Sequence, residues 1–281
     1  MDKIKIACIV VTYNRLLLLK SCIEAIKKQS YKDFDIIIVN NGSSDGTTEW
    51  LLTQEDLIVI NQNNLGGAGG FHNGIKYAYN CGYDYFWIMD DDGMPDRMCL
   101  ESLLKGTKMG FHYVAPILYT IEGICHHPLI LNTKCNIISH EGGPFNAILL
   151  SRYLIKDIGL PNKHYFIWGD EFEFVNRIKE NYFHVALVKE AIHYHKIPED
   201  TKILNTRIYY KVRNLIWSSR LSKGIIRGKL YLFLTTTRDI LIYIFKSISA
   251  LNFKSFINIL KGIKDGIKMN QQTLKNGSLL E

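Results

Sequence analysis

The first 110 residues alternate short apolar runs with helix-period segments, and that rhythm narrows the folds open to the chain more than any other feature. Ile4 to Val11 is a β-branched run bounded by polar residues, the pattern of a buried strand. A helical segment follows, with Leu16, Leu19, Ile23 and Ile26 on one face, and then a second strand from Phe34 to Val39. The string Asn40-Asn41-Gly42-Ser43-Ser44-Asp45-Gly46 closes that strand with turn formers that also cap helices. Leu57 to Ile60 gives a third strand, a helix runs through Tyr79 behind a glycine cluster, and Tyr85 to Met89 gives a fourth. Strands alternating with helices in this way build right-handed βαβ units, so the fold class is α/β with a Rossmann-like, mainly parallel sheet flanked by helices. Ligands of such sheets bind beyond the carboxyl ends of the strands. Thr12, Asn40, Asn64 and Asp90 each follow a predicted strand and therefore converge on one edge.

From about Gly110 to Leu150 the pattern loosens into Gly, Pro and short extended pieces, expected to form irregular strands and loops on an acceptor side. Asp170 to Lys179 reads as a helix, Phe183 to Val188 as extended, and the region after Ile203 as mostly helical. At 281 residues, with 47% hydrophobic and 22% charged residues, wholesale disorder is excluded and a full core is within reach. The net charge of +7 is uneven: residues 201–281 hold 15 Lys and Arg against 3 Asp and Glu, leaving 19 against 24 in the rest. A basic, aromatic tail on a slightly acidic body is built to meet an anionic surface, phospholipid or nucleic acid; a solvated helix face has the same signature. The apolar stretch from Leu230 to Phe245 carries Arg238 and Asp239 in its middle, which favours a peripheral helix over a membrane span. Six cysteines without close pairing fit reduced thiols in a cytoplasm. Cys125-His126-His127 with Cys135 has no common zinc-finger spacing and reads as loop.

Three strings carry chemistry. In Asn63 to Gly74, "NNLGGAGGFHNG", glycines at 66, 67, 69 and 70 would let the backbone approach a ligand with a helix N-terminus behind; a flexible helix entry is the plainer reading. In "MDDDGMP", Asp90, Asp91 and Asp92 repel one another unless a cation or donors compensate, and hard oxygen ligands suit Mg2+ or Mn2+ holding phosphates. Asp92-Gly93 also makes a turn pair. In "FIWGDEFEF", Asp170 and Glu173 have capping-box spacing and Glu173 can pair with Arg177, which leaves Glu171 as the spare carboxylate and general-base candidate. Trp168 before it is either core or a flat face for a sugar ring, and His195 gains a role only if the fold returns it to the aspartates.

"VVTYNR", "IIIVNNGSSDGT", "NNLGGAGGFHNG", "MDDDGMP", "FIWGDEFEF", "HYHK" and "YYKVRN" occur in this order, and over about residues 4 to 217 the chain resembles the inverting family-two glycosyltransferases with a GT-A fold. Their galactofuranosyltransferase and rhamnosyltransferase branch is the most similar. The resemblance implies a catalytic domain over residues 1–204, its nucleotide half about 1–110 and its acceptor half about 111–204. Residues 205–281 become a helical, basic amphipathic extension. It implies a nucleotide-sugar site of Thr12, Asn14, Arg15, Asn40, Asn64, Gly66, Gly67, Gly70, Asp90, Asp91 and Trp168, with Asp91 aimed at the donor. Asn40 stands where many relatives carry an aspartate that accepts from uracil, a departure that an amide oxygen can still serve. A divalent cation, Mn2+ or Mg2+, would be held by Asp90, Asp92 and His195. Glu171 aligns with the base, and Asp170 is the fallback. The partners implied are a UDP-sugar donor, UDP-galactofuranose first and dTDP-rhamnose second, and a lipid-linked glycan of the bacterial surface. Lys246, Lys254, Lys261, Lys264 and Lys268 would set the tail on an anionic membrane, not nucleic acid, at the cytoplasmic face; homo-oligomer packing is the competing use. A sugar nucleotidyltransferase would carry a basic glycine-rich signature where this chain has "TYNR", and a non-catalytic sugar-binding module would keep the pocket without needing Glu171.

Overall fold

The structure is a computed structural model that describes residues 3–126, 133–140, 142–195, 207–221 and 226–280, with the side chains of 226–233 set aside. Four strands form where the apolar runs predict them: β1 (Ile6–Thr12), β2 (Asp35–Asn40), β3 (Leu57–Asn61) and β4 (Tyr85–Asp90). They lie in the order β3-β2-β1-β4, every pair parallel, with Val11 opposite Asp90 and Thr12 opposite Asn40. Helices α1 (Leu16–Lys27), α2 (Thr47–Leu51), α3 (Gly66–Asn80) and α4 (Cys99–Lys108) provide the crossovers and cover the faces. Alternate residues of β1 feed two cores, as strand geometry requires. Ala7, Ile9 and Val11 pack with Phe71 and Ile75 of α3, while Ile6, Cys8 and Val10 pack with Leu19 and Ile23 of α1.

The large sheet flanked by helices is the expected one, its longer ladders are parallel, and beyond β4 it becomes mixed. It continues as β8 (Ile148–Ser151), β6 (Tyr113–Tyr119), β9 (Val185–Tyr194) and β5 (Met94–Pro95), with β7 (Ile137–His140) also on β9. Only β6 and β9 pair in parallel there; β4 with β8, β6 with β8, β5 with β9 and β7 with β9 are antiparallel. The loose pattern between 110 and 150 thus hides two core strands, Tyr113 and Val114 of β6 and Leu149 and Leu150 of β8 being fully buried. Its cause is Pro116, which has no N–H to donate and sits where the β6–β9 register slips.

Helix α5 (Arg152–Ile158) follows β8 directly, and α6 (Asp170–Glu180) follows a short 3-10 turn at Lys163–Tyr165. The remaining helices are α7 (Ile208–Leu221), α8 (Ile226–Ser249), α9 (Phe253–Lys268) and α10 (Gln271–Asn276). Contacts cross the expected boundary at 204/205. Leu274 of α10 is buried with Ala68, Tyr165 and Trp217, and the Leu160 and Lys163 amides donate to the Ser278 and Gly277 carbonyls at 2.9 and 3.1 Å. Gly262 and Gly266 let α9 close on α7, since a Cβ at Gly262 would lie 2.8 Å from the Tyr209 carbonyl oxygen. Among the described residues no helix is long and apolar enough to cross a membrane. His127 of the Cys125–Cys135 string and Lys196 of "HYHK" lie outside the described residues.

Candidate active site

Asp90 ends β4, and the chain turns at once: the Gly93 amide donates to the Asp90 carbonyl at 3.3 Å. Two-residue β5 then pairs Met94 with Tyr194 and Pro95 with His193, which returns the end of β9 to the aspartates. His195 Nε2 lies 3.0 Å from Asp92 Oδ1. One ligand atom from each of Asp90, Asp92 and His195 falls within 4.8 Å of the others, all three half-buried. Two carboxylates and an imidazole at that spacing fit Mn2+ or Mg2+. Gly93 is required here because a Cβ would stand 2.5 Å from His193, a fully buried ring beneath the turn. Burial pushes His193 down to about 3, so it packs as a neutral ring.

The charges of the triad are divided unequally. Burial, then the neighbouring Asp92 and Asp91, push Asp90 up to about 7. Burial also raises Asp91, against the Arg15 guanidinium and the Thr12 hydroxyl. For Asp92, burial is outweighed by the hydrogen bond and charge of His195 and by Arg15, which together hold its carboxyl below the usual value. His195 is raised by Asp92 in turn, against the burial that would lower it.

Asp91, expected to aim at a donor, is tied into the protein instead. It is buried and accepts from Thr12 Oγ1 at 2.7 Å and from Arg15 Nη1 at 3.1 Å. Arg15 reaches Asp92 Oδ2 at 2.8 Å as well and is the cation that compensates the pair. Asn14, at φ +52°, accepts from the Ser44 amide at 2.7 Å and pins the 43–45 loop to the end of β1. Asn40 is buried and spends its amide on Thr48 of α2 and Asn61 at the end of β3, and its oxygen on the Ser43 amide of the loop. Asn64 is exposed and accepts from the Gly66 amide at 2.9 Å, opening α3.

The glycine string is therefore the first turns of α3 and not a free loop. Added Cβ atoms at Gly66 and Gly70 would stand 2.0 Å from the Phe166 carbonyl oxygen and 2.4 Å from Val11, so these glycines serve close packing. Gly67 faces open space and remains the one of the three that a ligand can approach.

At the other side of the cleft, α6 starts differently from the sequence expectation. Gly169, at φ +86°, occupies the N-cap, and no side chain caps the helix; Asp170 is its first residue and is buried. Asp170 cannot be set aside as a cap. Its carboxyl is raised well above the ordinary value by burial, then by the charge of Glu171 and a hydrogen bond shared with it, with Asp90 adding to the effect. The acid pair and Asp90 thus stand near enough for their charges to act on one another. Glu173 keeps the structural part expected of it, accepting from Arg177 Nε at 2.6 Å and Nη2 at 3.0 Å. Trp168 is half-buried with the Arg207 guanidinium 5.5 Å from its ring centroid. Arg213 and Asn214, which hold the turn before α6, were singled out only inside the string "YYKVRN" and given no role.

A parallel half ending in strand-end acids, joined through β8 to a mixed half that bears an acid pair, is the GT-A fold. Residues 7–126 match the family model of Glycosyl transferase family 2, and the chain carries a domain of that family. It is 27% identical over 195 residues to galactofuranosyltransferase GlfT1 of Mycolicibacterium smegmatis, spanning 62% of this chain and 65% of that protein's length. The structure of S. aureus TarS 1-349 in complex with UDP is similar at TM-score 0.62 and 12% identity, over 96% of this chain and 83% of that one. Mannosyltransferase PcManGT from Pyrobaculum calidifontis, in complex with GDP-Man and Mn2+, is similar at TM-score 0.61 and 13% identity, over 94% and 87%. At such identities the two structures share the fold with this chain.

Proposed function

We propose that the chain is an inverting, metal-dependent glycosyltransferase that moves galactofuranose from UDP-galactofuranose to a hydroxyl of a growing, lipid-linked bacterial surface glycan. The observation that carries the reading is the Asp90, Asp92 and His195 cluster at the strand end, with Asp170 and Glu171 at the start of α6 near enough for their charges to act on Asp90. The galactofuranosyltransferase relative supports the donor. dTDP-rhamnose is the runner-up.

Asp90, Asp92 and His195 would hold the cation, which when bound neutralises the diphosphate that departs. Arg15 stays beside Asp91 and Asp92 and favours the charged form of both carboxyls, against the burial that raises Asp91. In the acid pair burial disfavours the charge of Asp170, and the charge of Glu171 and a hydrogen bond with it favour the protonated form of Asp170 further. Glu171, the more exposed of the two, is then the group placed to take a proton from an acceptor hydroxyl as that hydroxyl attacks the anomeric carbon. Attack from the side opposite the nucleotide inverts the configuration. Trp168, next to the pair, offers the acceptor a flat face.

The acceptor side meets a membrane. On α9 the face of Phe253, Ile257, Leu260 and Ile267 is exposed while Ser255, Ile259, Gly262 and Gly266 on the opposite face are buried. Lys254, Lys261 and Lys268 flank the exposed apolar stripe. An apolar groove of about 640 Å³ along α8, lined by Leu234, Leu241, Ile242 and Phe245 with Arg238 and Lys246, extends it. Apolar stripes edged by lysine fit the headgroup region of an anionic bilayer and support a peripheral location at the inner face of the cell membrane.

Glu171→Gln tests the mechanism. Transfer is expected to fall by about 10²- to 10⁴-fold with UDP and Mn2+ binding intact; full turnover would remove Glu171 as the base. Hydrolysis of UDP-galactofuranose, UDP-galactopyranose and dTDP-rhamnose, each with and without EDTA, tests donor and metal together.

A further inference from the structure

The segment before the acid pair has an unusual backbone, and every one of its carbonyls is held from elsewhere. Phe166 lies at φ +66° and ψ −63° with the Ile167 amide donating to the Tyr165 carbonyl at 2.8 Å, a strained γ-turn. Trp168 and Gly169 follow at φ +63° and +86°. Left-handed conformations at two large residues persist only where surrounding contacts over-determine them. Those contacts come from two places. Ala68 of α3 donates its amide to the Phe166 carbonyl at 3.2 Å, the contact that Gly66 leaves room for. The other hydrogen bonds that reach the 164–168 carbonyls from outside the turn come from two neighbouring side chains of α7. Arg213 Nη2 donates to the carbonyls of Tyr165 at 2.6 Å and His164 at 3.2 Å, and Asn214 Nδ2 lies within hydrogen-bond reach of those of Tyr165, Ile167 and Trp168 at 3.0, 2.9 and 2.5 Å. Both side chains are buried, and Arg213 Nε donates to Asn214 Oδ1 at 2.9 Å, so each fixes the other.

We propose that Arg213 and Asn214 are positioning residues for transfer: from α7 they hold the turn that sets Trp168, Asp170 and Glu171 across from the strand-end acids. The proposal rests on the assignment of Glu171 as base. It makes α7 part of the catalytic apparatus, although it belongs by sequence to the extension. The same helix uses Arg220 in the opposite direction, donating to the Gly266 and Ile267 carbonyls of α9. Arg220 therefore supplies a control that loosens α7 without touching the turn.

The test measures single-turnover transfer, donor and Mn2+ affinity and melting temperature for Asn214→Ala, alone and combined with Glu171→Gln. Asn214→Ala is expected to lower kcat by about ten- to a hundredfold with donor KM and Mn2+ affinity within about twofold, since misplacement of a reacting group by about 1 Å costs that much. In the Glu171→Gln background it should change the residual rate by less than about twofold, because both act on one step. Arg220→Ala lowers the melting temperature and leaves kcat unchanged. Should Asn214→Ala fail to fold, Gly169→Ala is the second variant, as its Cβ would meet Asn214 Cβ at 3.3 Å in a φ +86° backbone. Losses that add in the double variant, or an unchanged kcat in Asn214→Ala or its substitute, overturn the proposal. Wild-type turnover by Glu171→Gln alone marks the failure of the base assignment instead; a kcat loss in Asn214→Ala would then act through another group and overturn the positioning role as well.

Discussion

Asp90 is the residue whose chemistry the fold changes most, and its shift has a sign that can be measured. Its folded value of about 7 lies above the 3.8 of an unperturbed carboxyl, so between those values the folded chain holds the extra proton. Stability from this group is therefore present at low pH and lost as pH rises through about 7. The raised His195 acts in the same direction. Without a cation, the melting temperature should climb from about pH 8 to about pH 6, and Asp90→Asn should flatten the climb. With saturating Mn2+ the trend should reverse, because ligation needs the ionised carboxylate and affinity falls below pH 7. A wild-type profile that Asp90→Asn leaves unaltered would show that the charge on Asp90 is not what the cluster strains against. At this scale part of the site was legible: adjacent carboxylates after a strand need compensation, which pointed to Asp90 and Asp92, whereas His195 came from the resemblance alone and its return to the aspartates depended on the fold. Sequence spacing failed at Asp170. Capping-box spacing says nothing of φ, and Gly169 at +86° had already taken the cap position.

At the scale of the element, the glycines of α3 divide into those that pack and one that does not. Gly70→Ala would drive a Cβ to 2.4 Å from Val11 and should destabilise the fold by about 1–3 kcal/mol, read as a lower melting temperature with donor KM unchanged in the folded fraction. Gly67→Ala meets nothing within 4 Å and should stabilise the helix by up to about 1 kcal/mol. If Gly67 lies along the donor, the same substitution raises donor KM severalfold; an unchanged KM would reduce the whole string to helix packing. The string's position was readable, but its purpose was not, since the groups it approaches, the Phe166 carbonyl and Val11, stand about a hundred residues after it and over fifty before it. Strands β1 to β4 were readable because continuous β-branched runs buried on both faces have no other stable home. Strands β6 and β8 were not, because Pro116 and four-residue length erase the period on which the reading depends.

For the whole molecule, the uneven charge becomes a statement about orientation. Helix α9 is sandwiched by design of its own sequence: small residues at 255, 262 and 266 face α7, and exposed Phe253, Ile257 and Ile267 face away. A face of that kind on a segment with 15 basic and 3 acidic residues, 201–281, should bind vesicles of anionic phospholipid and not vesicles of phosphatidylcholine alone. Binding should weaken as salt rises past the range where the Debye length falls below about 8 Å. Phe245→Asp with Ile257→Asp should abolish flotation with vesicles while leaving hydrolysis of a soluble donor unchanged, because neither side chain reaches α7 or the acid turn. Self-association predicts a different pair of results: no flotation in the wild type, and a dimer-to-monomer shift in the double variant by light scattering. Since α9 rests on α7, and α7 holds the turn of Glu171, a bilayer against α9 lies behind the side of the cleft from which an acceptor must come. A lipid-linked acceptor should then be used far better on anionic vesicles than in detergent, and the double variant should lose that advantage while its rate on a soluble acceptor stays the same.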